Sequence, residues 1–243
     1  MERCQLGIVR NDCMKVKKKE RSNTQGFTLV ELLVAMAVSL LAIGAIYSTF
    51  LSQFKLYQIQ EEIAAMQQNI RAAMYHMQRE IRMAGCDPTG LAGAGITAAS
   101  PTSISFTKDV RGASTGSDPD GDLNDANETI TYSLSDNNLV RNTGGGNQTV
   151  AENINALNFV YLDEASPPAP LALVSGSIPA GDLSKIRSVE ITIVARTGRS
   201  LSPSPNNMVY YNQQGETILG AQNDNFSRKR LTTFINCRNL RLN

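Results

Sequence analysis

The chain has 243 residues, 42% of them hydrophobic, with 9 Pro, 18 Gly and no Trp, and a net charge of only +1. That length suits one domain with an appendage, or two small domains, and the near-neutral balance excludes a uniformly basic nucleic-acid binder. The charge is unevenly placed: residues 1–26 hold seven of the 23 Lys/Arg and three of the 22 Asp/Glu, leaving 16 basic against 19 acidic residues downstream.

The basic front end runs directly into "GFTLVELLVAMAVSLLAIGAIYSTFLSQF", residues 26–54. No charged residue occurs from Leu32 to Phe54, and about 20 residues of helix cross the ~30 Å hydrocarbon core. Positive charge upstream of such a span sets a cytoplasmic N-terminus, which explains the basic run better than nucleic-acid contact does. "AIYSTFLSQF" offers no convincing signal-peptidase site, so the span is expected to stay as an anchor. Glu31 is then the puzzle, because a carboxylate within a span is costly. A snorkelling interfacial glutamate is the plain explanation.

The polar-to-apolar boundary at Gly26–Phe27, followed by Thr28, Leu29, Glu31 and Leu32, resembles the type III signal of type IV prepilins and type II secretion pseudopilins. The resemblance implies leader cleavage after Gly26 by a membrane prepilin peptidase and N-methylation of the new terminal Phe27. It also implies that Glu31 pairs with the terminal ammonium of a neighbouring subunit and sets assembly register. The leader would be residues 1–26, with the true start at Met14, so that Cys4 and Cys13 take no part in the working protein.

Past Phe54, apolar residues recur at Leu56, Ile59, Ile63, Met66, Ile70, Met74, Met77 and Ile81, in steps of three and four that form one helical stripe. Glu61, Glu62, Gln68, Arg71, Gln78 and Arg82 fall on the other face, and no Pro interrupts residues 27–84. One helix of about 85 Å is expected at ~1.5 Å per residue, in a membrane half (27–54) and an amphipathic half (55–84), capped by Gly85 and stopped by Pro88. A coiled coil is the rival for the second half, though it has fewer than four clean heptads. His76, the one histidine, is expected to be a packing or surface residue.

From residue 85 to 243 short alternating runs dominate: 102–110, 128–135, 154–163, 186–197 and the tail "RLTTFINCRNLRL". They predict an antiparallel sheet receiving the helical stripe, an α+β class, with the Pro-rich 165–181 as a surface loop. In the exported setting that the resemblance implies, Cys86 and Cys237 are expected to bridge the helix exit to the last strand, with two separate thiols as the alternative. Two cysteines with no histidine nearby are too few for zinc.

"SDPDGDLNDANE" supplies Asp118, Asp120, Asp122, Asn124, Asp125 and Glu128. Alternating side-chain oxygens around a glycine suit calcium, and a solvated acidic turn is the plain alternative. No other cofactor is expected. Neither a nucleophile elbow nor a phosphate loop occurs, so no enzyme is predicted.

"NIRAAMYHMQREIRMAGCDP", "AENINALNFVYLD" and "LTTFINCRNLRLN" are similar to PilW-like minor pilins. That resemblance implies a low-abundance subunit that primes or caps a type IV pilus, with other minor and major pilins as partners. It would sit in the inner membrane with its head in the periplasm, and later in the extracellular fibre. A J-type pseudopilin of type II secretion, or a membrane-anchored ligand-binding module, are the competing readings.

Overall fold

The computed structural model describes residues 26–112, 118–201 and 205–241. The leader, Met14, Cys4 and Cys13 lie outside the described residues, Gly26 excepted. The chain forms two compact units, one ending at Ser52 and the other running from Gln53 to Asn243. A single helix, α1 (Leu29–Ile81), runs from the first into the second.

In the first unit every described residue is exposed. The helix starts where Thr28 Oγ1 accepts the Glu31 N–H at 3.3 Å, half of a capping box, and an acid in the first turn suits the positive end of the helix dipole. Helical hydrogen bonding continues through Gly44.

In the second unit α1 becomes one-sided. Met66, Ile70, Ala73, Met74, Met77 and Ile81 are buried, while Gln68, Arg71, Arg79 and Arg82 stay in solvent. Leu56 is still exposed and Ile59 and Ile63 half-buried, so the packed stripe begins later than the periodicity implies. Gln78, expected on the outer face, is half-buried and donates to Thr233 Oγ1 at 2.8 Å.

The stripe packs on two antiparallel sheets rather than the single one expected. Five strands form a meander in the order β1 (Ile96–Ser100), β2 (Ser103–Thr107), β3 (Thr129–Ser135), β4 (Asn138–Asn142) and β5 (Asn147–Ala151). The second sheet places β7 (Ser188–Arg196) between β6 (Ile154–Leu162) and β10 (Arg228–Asn236), with β8 (Tyr210–Tyr211) and β9 (Thr217–Leu219) as a small separate hairpin. Alternation decides which side chains face inward: Ile104 and Phe106 lie opposite Tyr132 and Ile130, and Phe159 and Tyr161 opposite Ile191 and Val189, all in one core with the helical stripe. The Tyr161 hydroxyl, buried there, donates to the carbonyls of Ser100 and Ser103.

The expected strands are present with trimmed ends, and 165–181 is a largely exposed loop before a 3-10 turn at Ala180–Lys185. The helix exit turns at Gly85, whose φ of 75° favours glycine and where an added Cβ would lie 2.6 Å from Leu240 Cδ2. Leu240 belongs to a closing 3-10 turn (Arg238–Arg241), and Asn239 donates to the Arg82 carbonyl at 3.2 Å. The expected Cys86–Cys237 bridge is not formed: both thiols are free. Cys237 lies in the hydrophobic core, where burial pushes its thiol up to about 12, and the tail is held to the helix exit by packing and hydrogen bonds instead.

Candidate functional site

The N-terminal segment presents its motif openly. Gly26 and Phe27 precede the helix without regular structure, and the Phe27 side chain is 84% exposed. Glu31 is exposed in the first turn, fixed at its backbone by Thr28. The Thr-x-x-Glu spacing could have announced this cap from the sequence.

Beyond Glu31 the helix shows leucines, isoleucines and valines on all sides, among them Leu33, Val38, Leu41, Ile43 and Ile46. Its hydroxyls are turned inward onto its own backbone: Ser39 donates to the Ala35 carbonyl, Ser48 and Thr49 to Ala45, and Ser52 to Ser48. A helix that satisfies its polar groups internally and is apolar all round is fit for hydrocarbon or for a bundle of similar helices, and α1 is long and apolar enough to cross a membrane.

In the second unit, polar side chains meet between the helix and the five-stranded sheet. The Tyr132 hydroxyl donates to Glu80 Oε2 at 2.5 Å, and Arg141 grips both Glu80 oxygens at 2.8 and 2.9 Å. With the Tyr132 proton committed to Glu80, His76 Nδ1 at 2.6 Å is the donor to the Tyr132 oxygen. Burial raises the Glu80 pKa, but the bonds from Arg141 and Tyr132 outweigh it and hold the carboxyl below its ordinary value. Glu80 in turn holds the Arg141 guanidinium above its usual range. Arg141 also donates to Asn127 Oδ1, tying this network to the end of the acidic loop. His76 is therefore an exposed helical residue with a specific partner in the Tyr132 hydroxyl. Sequence spacing gave no signal of it, because Glu80 and Arg141 are 61 positions apart.

The acidic loop brings together three of the five acids expected as ligands. Asp120, Asp122 and Asp125 each offer an oxygen within 4.8 Å of the others. Asp118 and Asn124 are exposed outside that trio, and the Asn124 N–H donates to Asp122 Oδ1. Glu128 is fully buried with both oxygens engaged: Oε1 accepts the N–H groups of Val110 and Arg111, and Oε2 accepts that of Asp125. It braces the two ends of the loop and is withdrawn from the ligand set. Asp109, which the sequence reading passed over, lies behind the loop with Oδ2 accepting the Gly121 N–H at 3.0 Å.

Comparison with known proteins adds two findings. Residues 21–47 match the profile of the prokaryotic N-terminal methylation motif. A type IV-like pilin from Thermus thermophilus is similar to this chain at 16% identity with a TM-score of 0.42, covering 75% of this chain and 98% of its own length. No curated protein matches.

Proposed function

We propose that this chain is a minor type IV pilin that helps prime or cap a pilus. The observation that carries the reading is the methylation motif over 21–47, set at the start of a helix whose first half exposes apolar side chains on all sides. In this account a prepilin peptidase cuts after Gly26 and methylates Phe27. The positive residues of the leader hold the N-terminus in the cytoplasm, the first half of α1 anchors the chain in the inner membrane, and the sheet-bearing unit faces the periplasm. On assembly that half leaves the lipid and packs among the helices of other pilins, with Glu31 compensated by the terminal ammonium of a neighbour. The work is structural: nothing in the reading calls for catalysis.

The finer assignment rests on the three PilW-like segments, which converge in the fold. Residues 69–88 form the helix exit, 151–163 contain β6, and the tail contains the larger part of β10 and the closing turn, where Gln78 meets Thr233, Leu240 meets Gly85 and Asn69 donates to the Glu152 carbonyl. A shared packing unit is what such subunits would need to present one common face to their partners.

The test is to shear surface fibres from host cells and quantify this chain against the major subunit. The reading expects the chain in the fibre fraction at far below equimolar amounts, and fewer fibres when its gene is deleted. Normal fibre number after deletion, with the chain co-purifying with secretion components, would assign it to a pseudopilus instead.

A further inference from the structure

The outer side of the helix exit carries positive charge that the fold does not pair. Arg79 and Arg82 stand exposed at the end of α1, and the half-buried Lys108 comes up beside them just after β2. With Tyr75, Glu80 and Met83 they line an open cleft of about 610 Å³. Glu80 is the acid in this wall, and Arg141 and Tyr132 already engage both of its oxygens. Other cations of the unit find acids: Lys185 pairs with Asp182, Arg187 with Glu164, Arg199 with Glu62 and Arg228 with Asp224. Arg79, Arg82 and Lys108 form no ion pair among the described residues. Burial pulls the Lys108 pKa below its ordinary value; Glu80 opposes this, and the charges of Arg141, Arg111 and Arg79 add to it. The negative end of the helix dipole answers about half an elementary charge, so most of the charge of the three cations is left over.

Apolar surface accompanies the charge. Tyr75 is 68% exposed and Met83 37% exposed in the same cleft. A single inorganic ion would use neither, and the volume lies in the range of clefts that enclose a ligand of many atoms. Lipid headgroups lie out of reach: 25 residues of helix separate Arg79 from Phe54, where the charge-free run ends, about 38 Å at ~1.5 Å per residue. A long polyanion such as DNA would meet repulsion beyond the cleft. Residues 27–243 hold 16 basic against 19 acidic residues, and the acidic loop adjoins the cleft wall where Glu128 Oε1 accepts the Val110 N–H. A short acidic segment avoids that repulsion.

We propose that this cleft docks a short acidic peptide segment of a partner protein, its carboxylates meeting Arg79, Arg82 and Lys108 and an apolar side chain lying against Tyr75 and Met83. Guanidinium groups suit this occupant because their N–H fork matches the two oxygens of a carboxylate. The same wall already holds one such grip, that of Arg141 on Glu80. Arg79 and Arg82 come from the helix exit and Lys108 from the segment after β2, so the occupant would bridge helix and sheet. The cleft lies wholly within the unit from Gln53 to Asn243 and does not depend on how the N-terminal segment is processed.

The experiment is fluorescence anisotropy of a labelled Glu-Leu repeat peptide titrated with the full chain in detergent. Saturable binding is expected, weakened at least about tenfold by molar salt, which screens charge pairs at a surface. Arg79→Glu combined with Arg82→Glu should lower the affinity at least about tenfold, and Tyr75→Ala about threefold, while Lys229→Glu, on β10, changes nothing. All four side chains are exposed, so the variants should melt close to the parent, which separates lost binding from lost folding. Absence of saturable binding by the parent, or equal binding by the double variant, would overturn the proposal. So would displacement of the peptide by single-stranded DNA of equal charge at the same concentration, the mark of a general polyanion surface. Self-association that blocks the peptide and is abolished in the double variant would also overturn it, by making a second copy the occupant.

Discussion

Two stretches of one helix meet opposite fates. From Leu29 to Ser52 every residue of α1 is exposed although most are apolar; from Met66 to Ile81 six apolar residues are buried against two sheets. Helix formation is common to both, so the difference lies in where each finds apolar company. The second stretch has a polar face and finds its partner within its own chain. The first has no polar face beyond Glu31, and its apolar surface exceeds anything a soluble monomer keeps in water. The lesson is that the first stretch is built for a lipid or helical environment supplied from outside, which is what the methylation motif at its head also implies.

Substituting the same residue in both stretches should separate them most sharply. Met77 is 0% exposed, and Met77→Asp would set an unpaired carboxylate in the core, costing at least about 4 kcal/mol and abolishing cooperative unfolding of the sheet-bearing unit. Leu40→Asp should leave that unfolding transition in place while weakening membrane retention, with a cost of about 2.5–3.5 kcal/mol near mid-span. Equal loss of the transition in both variants would break the comparison. A milder pair is Ile81→Ala, expected to cost about 3 kcal/mol by chemical denaturation, against Leu41→Ala, expected within about 0.5 kcal/mol in the same assay.

The polar network offers the next effect. Glu80→Gln should cost about 2–3 kcal/mol, since it leaves the half-buried Arg141 without its carboxylate. The folded pKa of Glu80 lies below the ordinary value of 4.5, so its stabilisation is complete above that value and is lost as pH falls through the lower folded one. The parent should therefore lose stability in acid more steeply than Glu80→Gln, measured by melts from pH 7 to pH 3; parallel curves would remove Glu80 from the account. The smallest effect on folding is expected at Glu31→Ala, a few tenths of a kcal/mol from the lost helix-end charge. Incorporation into fibres should nevertheless fall strongly while processing continues, as scored by immunoblots of sheared material.

Much of this contrast was legible in the sequence because it is periodic. The charge-free run from Leu32 and the three-four spacing from Met66 declare the helix, and alternation in 104–106, 130–134 and 189–193 declares strands. The short strands Asn138–Asn142 and Asn147–Ala151 were missed, since "NLVRN" and "NQTVA" are too brief and polar for alternation to show. The split into two sheets depends on registers between distant segments. The same non-locality hid the pairing of Glu80 with Arg141 and the position of Asp109 behind Gly121. The loop acids were visible as a composition, but only the fold shows Glu128 drawn away into a brace.

The central claim, that the apolar half of α1 is delivered by prepilin processing, is tested most directly by mass spectrometry of the N-terminal peptide from native host membranes. The account predicts a chain beginning at N-methylated Phe27. An intact Gly26–Phe27 bond would contradict it and leave α1 as the plain anchor of a membrane protein.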